Sequence, residues 1–488
     1  MTRLASLVVV AAFVSVVTAC VLDGAPRSVL RSPSPTPATV AVPNGTAVEF
    51  DGDRAKAHVD WLADPARGGR YTASPGYQDA ASYVADRFKE IGLEPLGDNG
   101  TYFQHFTMPL VDLTAMSALS RTDAPAKEYK ARVDFTESVG GRSGTGTANT
   151  QLAVVGGAAR TSGQNDFAGA SVRGKIALVT GPFQPNGGSP VENAYAEGAV
   201  GVLVIGNATL RYSYTPRFQS QTIPTLVITE SVANDLIAAS GKTVADAQAA
   251  VRARRSDPSA AAPGFDVPTT IRMSVSLTPV RQVDAMNVVA VLRSPDPDNG
   301  RRAVLVGGHL DGVGTDPDGS VFPAANDNAS GPAVMIEVAR ALAGVKRELR
   351  HSVIFVAFAG EEQGFFGSEA YVTQTAATPG RVESLVAMIN LDVIGCCGNT
   401  LAVSNDAPDL QKRVRDAADA LGVPSQSISG GGSDHVSFAR RRVPVVFVGW
   451  TDYILHTYSD TSSMVTAERL KKAGNVVTQA ARELASGH

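Results

Sequence analysis

Ala303-Val-Leu-Val-Gly-Gly-His-Leu-Asp311 sets a short apolar run directly before an imidazole and a carboxylate. An apolar run of this length, without polar alternation and stopped by glycine, reads as a strand buried on both faces. The pattern recurs in Ser352-Val-Ile-Phe-Val-Ala357, Leu385-Val-Ala-Met-Ile389 and Val443-Pro-Val-Val-Phe-Val448. Helical stretches alternate with these runs: Val334 to Leu342, Gly367 to Thr373, Leu410 to Leu421, and a terminal one from about Ala467 to Ala485. Short apolar strands alternating with helices predict an α/β fold, a mostly parallel central sheet with helices on both faces. In such a sheet, functional groups collect beyond the carboxyl ends of the strands.

Further upstream, Ala55, His58, Val59 and Leu62 recur at helical spacing, as do Ala81, Val84, Phe88 and Ile91, and Gly92 stops the second helix. Asp64 to Gly76, between them, is rich in glycine and proline and reads as a loop. From about 150 to 262 the texture turns β-rich, with Lys175-Ile-Ala-Leu-Val-Thr180 and Val200-Gly-Val-Leu-Val-Ile205 separated by glycine turns, which predicts a separate small domain. The expected division is an export segment (1–20), a Pro/Ser-rich linker (21–50), a first part of the main domain (51–135), an inserted β-rich domain (136–265) and the main part of the larger domain (266–488).

With 44% hydrophobic and 18% charged residues, the chain can bury enough apolar surface to fold as globular domains. Lys+Arg 43 against Asp+Glu 47 leaves no basic excess to neutralise phosphates, so nucleic acid is not an expected partner. The three cysteines, Cys20, Cys396 and Cys397, lack the paired spacing of a thiolate zinc site, so any metal must use histidine and carboxylate. Cys396 and Cys397 read as two small packed side chains. Arg3 precedes an apolar run, Leu4 to Ala19, shorter than the roughly 20 residues that span a bilayer and laid out like a secretory signal. Its end, Val17-Thr-Ala-Cys20, resembles the lipobox of bacterial lipoproteins, which implies lipidation at Cys20 and a protein tethered to the outer side of the cell membrane. Arg31-Ser-Pro-Ser-Pro-Thr-Pro37 then reads as an extended spacer. The oligomeric state is not legible.

Separate strand ends deliver chemistry to one rim. His309 and Asp311 follow the first strand quoted, Glu361 and Glu362 the second, Asp392 the third and His456 the fourth, while Asp327 lies in the loop between the first two. Imidazole and carboxylate are ligands suited to Zn²⁺, and also to Co²⁺ or Mn²⁺. The set suggests a hydrolytic metal centre. Gly307-Gly-His-Leu-Asp311, Ala325-Asn-Asp-Asn-Ala-Ser-Gly331, Ala359-Gly-Glu-Glu-Gln-Gly364, Asn390-Leu-Asp392, Ser433-Asp-His435 and His456-Thr-Tyr-Ser-Asp460 together resemble the M28 family of zinc peptidases, aminopeptidases with two co-catalytic zinc ions. The resemblance covers about residues 51–110 and 285–485. It implies that His309 and Asp392 bind one zinc, Glu362 and His456 the other, and that Asp327 bridges them. It further implies Glu361 as general base, while Asp311, close behind His309, is placed to orient that imidazole. Tyr453, just upstream of His456, matches a tyrosine that helps hold the oxyanion in related aminopeptidases.

Asp166-Phe-Ala-Gly-Ala-Ser-Val-Arg-Gly-Lys-Ile-Ala-Leu-Val179, Asn193-Ala-Tyr-Ala-Glu-Gly-Ala-Val-Gly-Val-Leu-Val-Ile205 and Ile223-Pro-Thr-Leu-Val-Ile228 resemble the protease-associated (PA) domain. The resemblance implies a wall or lid beside the catalytic cleft. The expected activity is removal of amino-terminal residues from peptides. The alternatives are a carboxypeptidase or dipeptidase of the same fold, or a binding relative without catalysis. The single helix after Asp460, and the lack of an arginine cluster for a substrate carboxylate, favour the aminopeptidase.

Overall fold

The computed structural model describes residues 49–161, 163–183, 186–211, 218–376 and 382–487. Cys20, the rest of the expected export segment and the proline-rich spacer 31–37 lie outside them. The main sheet has nine strands: β1 (Glu94–Pro95), β2 (Phe103–Leu110), β3 (Arg281–Leu292), β4 (Ala303–His309), β5 (Ser352–Phe358), β6 (Leu385–Leu391), β7 (Leu401–Ser404), β8 (Ser425–Ile428) and β9 (Val445–Trp450). They lie in the order β1-β3-β5-β4-β6-β9-β7-β8, with β2 also paired to β3. β4 is parallel to β5 and β6, and β6 is parallel to β9. These central strands form the expected parallel core. Antiparallel pairs, β3 with β5 and β7 with β9, flank it on either side. The register sets Gly307 opposite both Val356 and Asn390, which brings the ends of three strands level.

Among the described residues, seven helices accompany this sheet: α1 (Gly52–Leu62), α2 (Pro75–Ile91), α3 (Ser330–Gly344), α4 (Phe366–Ala376), α5 (Pro408–Ala420), α6 (His435–Ala439) and α7 (Ala467–Ser486). Alternate residues of β4 point to opposite faces, as strand geometry requires. Val304 and Val306 join a core with Val59, Phe88, Met335, Val414 and Val477 from α1, α2, α3, α5 and α7. Ala303 and Leu305 join a second one with Tyr371, Val372 and Phe438 from α4 and α6. Full burial of a large apolar side chain contributes about 1.5–3 kcal/mol, so both faces hold the sheet in place. Helix α2 shows how its ends are encoded. Ser74 accepts from the Tyr77 N–H, Pro75 opens the first turn, and Gly92 closes the helix at φ +85°.

A second sheet of eight strands occupies the region between Ala118 and Val275 and has its own core around Leu152, Leu178, Leu203 and Leu226. It is wider than the expected edges 136–265. Ala118–Arg121 pairs with the long strand Phe265–Val275, which also pairs with Gly146–Val154. The segments flanking the insertion therefore belong to its sheet, and the composition shift used to place the edges falls inside it. Cys396 and Cys397 also depart from expectation, because they are joined in a vicinal disulfide. The positive φ of Cys397, +78°, turns the two neighbouring side chains toward one another. Among the described residues, no helix is long and apolar enough to cross a membrane.

Candidate metal centre

The carboxyl ends of β4, β5, β6 and β9 converge on one cluster of imidazoles and carboxylates. His309 is the last residue of β4, and Asp392 directly follows β6. Glu361 and Glu362 follow β5, and His456 lies in the loop after β9. The sheet ends must come close to do this. A Cβ on Gly449 of β9 would overlap the main-chain oxygen of Asp392, so this position requires glycine.

His309 Nε2 lies 3.2 Å from Asp392 Oδ1, 3.3 Å from Asp327 Oδ1 and 4.0 Å from Glu361 Oε2. On the other side, His456 Nε2 lies 3.2 Å from Asp327 Oδ2 and 2.9 Å from Glu362 Oε2. Asp327 thus presents one oxygen to each imidazole. Two donor triads, His309–Asp327–Asp392 and Asp327–Glu362–His456, share that carboxylate, and a third grouping, His309–Glu361–Glu362, overlaps both. Within each, the ligand atoms lie within 4.8 Å of one another.

Hydrogen bonds behind the donors fix their orientation. His309 Nδ1–H donates to the Asp311 carbonyl oxygen at 3.1 Å, which leaves Nε2 facing the carboxylates. The expected partner was the Asp311 carboxylate, but it stands 3.7 Å away and does something else. It accepts from the main-chain N–H groups of Glu361 and Glu362, at 3.3 and 3.2 Å, and from the Thr72 hydroxyl at 3.1 Å. Asp311 therefore orients both sides of the site, through its carbonyl and its carboxylate. Asp327 is held by Asp460, whose two oxygens accept from the N–H groups of Asn326 and Asp327 at 2.7 and 2.9 Å. Burial nonetheless pushes the Asp460 carboxyl up to about 7.

The electrostatics are those of a site built for cations. Burial alone would lower both histidines, yet Glu361 and Asp392 raise His309, and Glu362 and Asp327 raise His456, well above the ordinary imidazole range. Burial would raise the Asp327 carboxyl, but hydrogen bonds from the same two rings hold it well below the ordinary carboxylate range. Glu361 behaves oppositely: burial, reinforced by Glu362 and Asp392 against His309, raises it well above that range. Burial likewise pushes Asp311 up to about 6 and Asp434 up to about 7. Carboxylates outnumber imidazoles around one small volume, and oxygen and nitrogen donors without thiolate are the set that suits zinc. The residues fit a divalent cation such as zinc.

Several contributors carried no signal in local sequence. Arg70, fully buried in the stretch read as a loop, donates to the carbonyl oxygens of Leu62, Leu310, Pro323 and Ala324. It sets a positive charge beneath the acidic cluster; burial lowers its pKa to about 10 against the pull of Asp460, Asp311, Asp327 and Glu362. Its role depends on contacts far apart in sequence, which no periodicity reveals. Asp316 opens a turn in Asp316-Pro-Asp-Gly319, with Gly319 N–H donating to the Asp316 carbonyl oxygen at 2.9 Å. Its carboxylate, however, is buried and ion-paired to Arg132 and Arg211. Tyr453 is 67% exposed and lies outside the buried cluster. Of the remaining histidines, His58 contacts the Tyr83 hydroxyl and Glu337, and His105 contacts Asp284, as hydrogen-bonded residues apart from the centre. An open cavity lined by Leu96, Arg293, Arg301 and Tyr371 contains none of the donor residues.

Residues 287–481 match the model of Peptidase family M28, and residues 148–236 match that of the PA domain. Aminopeptidase YwaD of Bacillus subtilis (strain 168) is 32% identical over 196 residues, 37% of this chain and 40% of the relative. An aminopeptidase of Pseudomonas aeruginosa (strain UCBPP-PA14) is 29% identical over 344 residues, 67% of this chain and 54% of the relative. The chain thus spans about half of the length, or less, of these curated relatives. Among solved structures, an aminopeptidase from Aneurinibacillus sp. strain AM-1 matches with a TM-score of 0.63 at 22% identity, covering 90% of this chain and 94% of that one. BSAP, a zinc aminopeptidase from Bacillus subtilis, matches with a TM-score of 0.62 at 22% identity, covering 89% and 95%. At such identity these structures show a shared fold. Residues 287–481 are thus a region like the M28 peptidases, and the PA-domain region precedes them in the chain.

Proposed function

We propose that the chain is a two-zinc aminopeptidase. The observation that supports this reading is the Asp327 carboxylate, one oxygen 3.3 Å from His309 Nε2 and the other 3.2 Å from His456 Nε2, common to two donor triads. His309 and Asp392 would hold one ion, Glu362 and His456 the other, with Asp327 between them. Zinc bound there would supply Lewis acidity toward a peptide carbonyl and a water of lowered pKa, and cobalt or manganese suit the same donors. Glu361 takes the proton of the attacking water and hands it to the leaving amine. Its raised carboxyl pKa suits a group that must hold that proton between the two steps. Asp311 fixes the main chain of Glu361 and the ring of His309 at once, so base and ligand keep one spacing. Tyr453, exposed and three residues before His456, would turn onto the oxyanion as substrate arrives.

The substrates in this reading are peptides with a free amino end. Glu361 and Asp392 offer carboxylates to an α-ammonium group, and the PA domain limits access to short or unfolded chain ends. The test is one peptide presented free, amino-acetylated and carboxy-amidated. Acetylation should abolish cleavage and amidation should leave it nearly unchanged; the reverse pattern would identify a carboxypeptidase. The amino-terminal segment supports export and tethering through lipidation of Cys20. The wild type should then partition into membranes and Cys20→Ala should not, whereas a mature terminus found elsewhere than Cys20 would remove the tether.

A further inference from the structure

We propose that Arg211 of the PA domain is a positioning residue for His456, so that the inserted domain completes one of the two metal positions and not the other. The inference rests on the two-metal reading above. His456 has a positive φ of +57°, a conformation its β-carbon disfavours, so its surroundings must hold it there. Part of that hold is local: the Asp452 carboxylate accepts from the N–H groups of Ile454 and Leu455 at 2.5 and 3.0 Å. The rest comes from the inserted domain. Arg211 N–H donates to the His456 carbonyl oxygen at 2.9 Å, across more than two hundred residues of sequence.

The Arg211 side chain anchors that contact. Its guanidinium lies 3.5 Å from Asp316 Oδ1 and over the Phe322 ring, 5.4 Å from the centroid. Asp316 is shared with the histidine's own loop, because Tyr458 donates its hydroxyl to Asp316 Oδ2 at 2.5 Å. Arg132 grips the same carboxylate at 2.9 and 2.8 Å and also pairs with Glu137. Arg132, Arg211, Asp316 and Glu137 are all buried, at 6, 3, 2 and 1% exposure, and their charges balance two against two. Removing one arginine leaves a buried excess of negative charge that the network cannot keep in place. His309 depends on none of this, because it ends β4 and is oriented by Asp311. Loosening Arg211 should therefore affect one metal position selectively.

The test uses the full chain as wild type, Arg211→Ala and Arg211→Lys. Each is stripped with chelator and titrated with zinc against a chromophoric competitor, and metal content and melting temperature are measured in parallel. The wild type should bind two ions. Arg211→Ala should keep one at wild-type affinity and bind the other about 10–100-fold more weakly, the range for loss of a group that orients a ligand. Arg211→Lys should fall between them. Two ions bound by Arg211→Ala at wild-type affinity would overturn the inference, as would equal weakening of both. If Arg211→Ala does not fold, Tyr458→Phe decides: it removes only the hydroxyl link to Asp316, weakened binding of one ion is expected, and unchanged binding of both overturns the proposal. A wild type that binds fewer than two ions would bring down the two-metal reading and this inference with it, whereas two ions in the wild type and two bound at wild-type affinity in the variants sink the inference alone.

Discussion

Glu361→Gln separates proton transfer from metal binding. Gln preserves the volume and one carbonyl oxygen but cannot accept a proton from water. The side chain is 10% exposed and lies 4.0 Å from His309 Nε2, behind the shorter contacts made by Asp327 and Asp392. Loss of a positioned base lowers kcat by about 10²–10⁴-fold, or about 2.7–5.5 kcal/mol of activation free energy. Zinc affinity should change by less than the roughly 10-fold that loss of an orienting partner costs. The electrostatics add a second readout. Burial with Glu362 and Asp392 raises the folded-state carboxyl pKa well above its ordinary value, so ionising Glu361 opposes folding once the pH exceeds the unfolded pKa. The neutral amide removes that opposition. Metal-free Glu361→Gln should therefore melt higher than metal-free wild type at pH 7, with the difference shrinking toward pH 4. Steady-state kinetics, zinc titration and thermal melting of the same preparations check all three. A variant with wild-type kcat, or one that loses zinc in proportion to activity, would refute the assignment of Glu361 as base.

Three further outcomes are expected. Asp327→Ala should lose both metals, because each triad uses one of its oxygens, while Glu362→Ala should lose one; metal counting by mass spectrometry distinguishes them. Because His309 and His456 are raised well above the ordinary imidazole range in the metal-free site, protons compete with metal at neutral pH. Zinc affinity should rise with pH, and calorimetry in buffers of different ionisation enthalpy should show protons released on binding. Arg132→Ala should destabilise the fold by about 3–5 kcal/mol, since it strands the buried carboxylates of Glu137 and Asp316, and a shift in the urea midpoint measures it.

What could be read in the sequence was what chain neighbours encode. The central strands β4, β5, β6 and β9 are apolar runs, and each candidate ligand sits close to the end of one of them or in the loop after β4, so short motifs carried both fold and site. Strands lacking such runs were not legible. Leu401–Ser404 and Ser425–Ile428 are four residues each, and the second is largely polar because it lies at the sheet edge. Phe103–Leu110 alternates buried and more exposed positions, the mark of a flanking strand rather than a central one. The groups that orient the ligands were hidden for a different reason. Arg70, Thr72, Arg132 and Arg211 act on residues more than a hundred positions away, or on carbonyl oxygens that any residue supplies. Asp316 illustrates the limit: Asp-Pro-Asp-Gly encodes its turn correctly while saying nothing of the two arginines that the inserted domain brings to its carboxylate.

The most direct test of the two-metal centre is anomalous diffraction at the zinc edge from crystals of the zinc-loaded protein. Two peaks are expected, one between His309 and Asp392 and one between Glu362 and His456, with the Asp327 carboxylate between them. A single peak, or peaks bound away from these five residues, would contradict it.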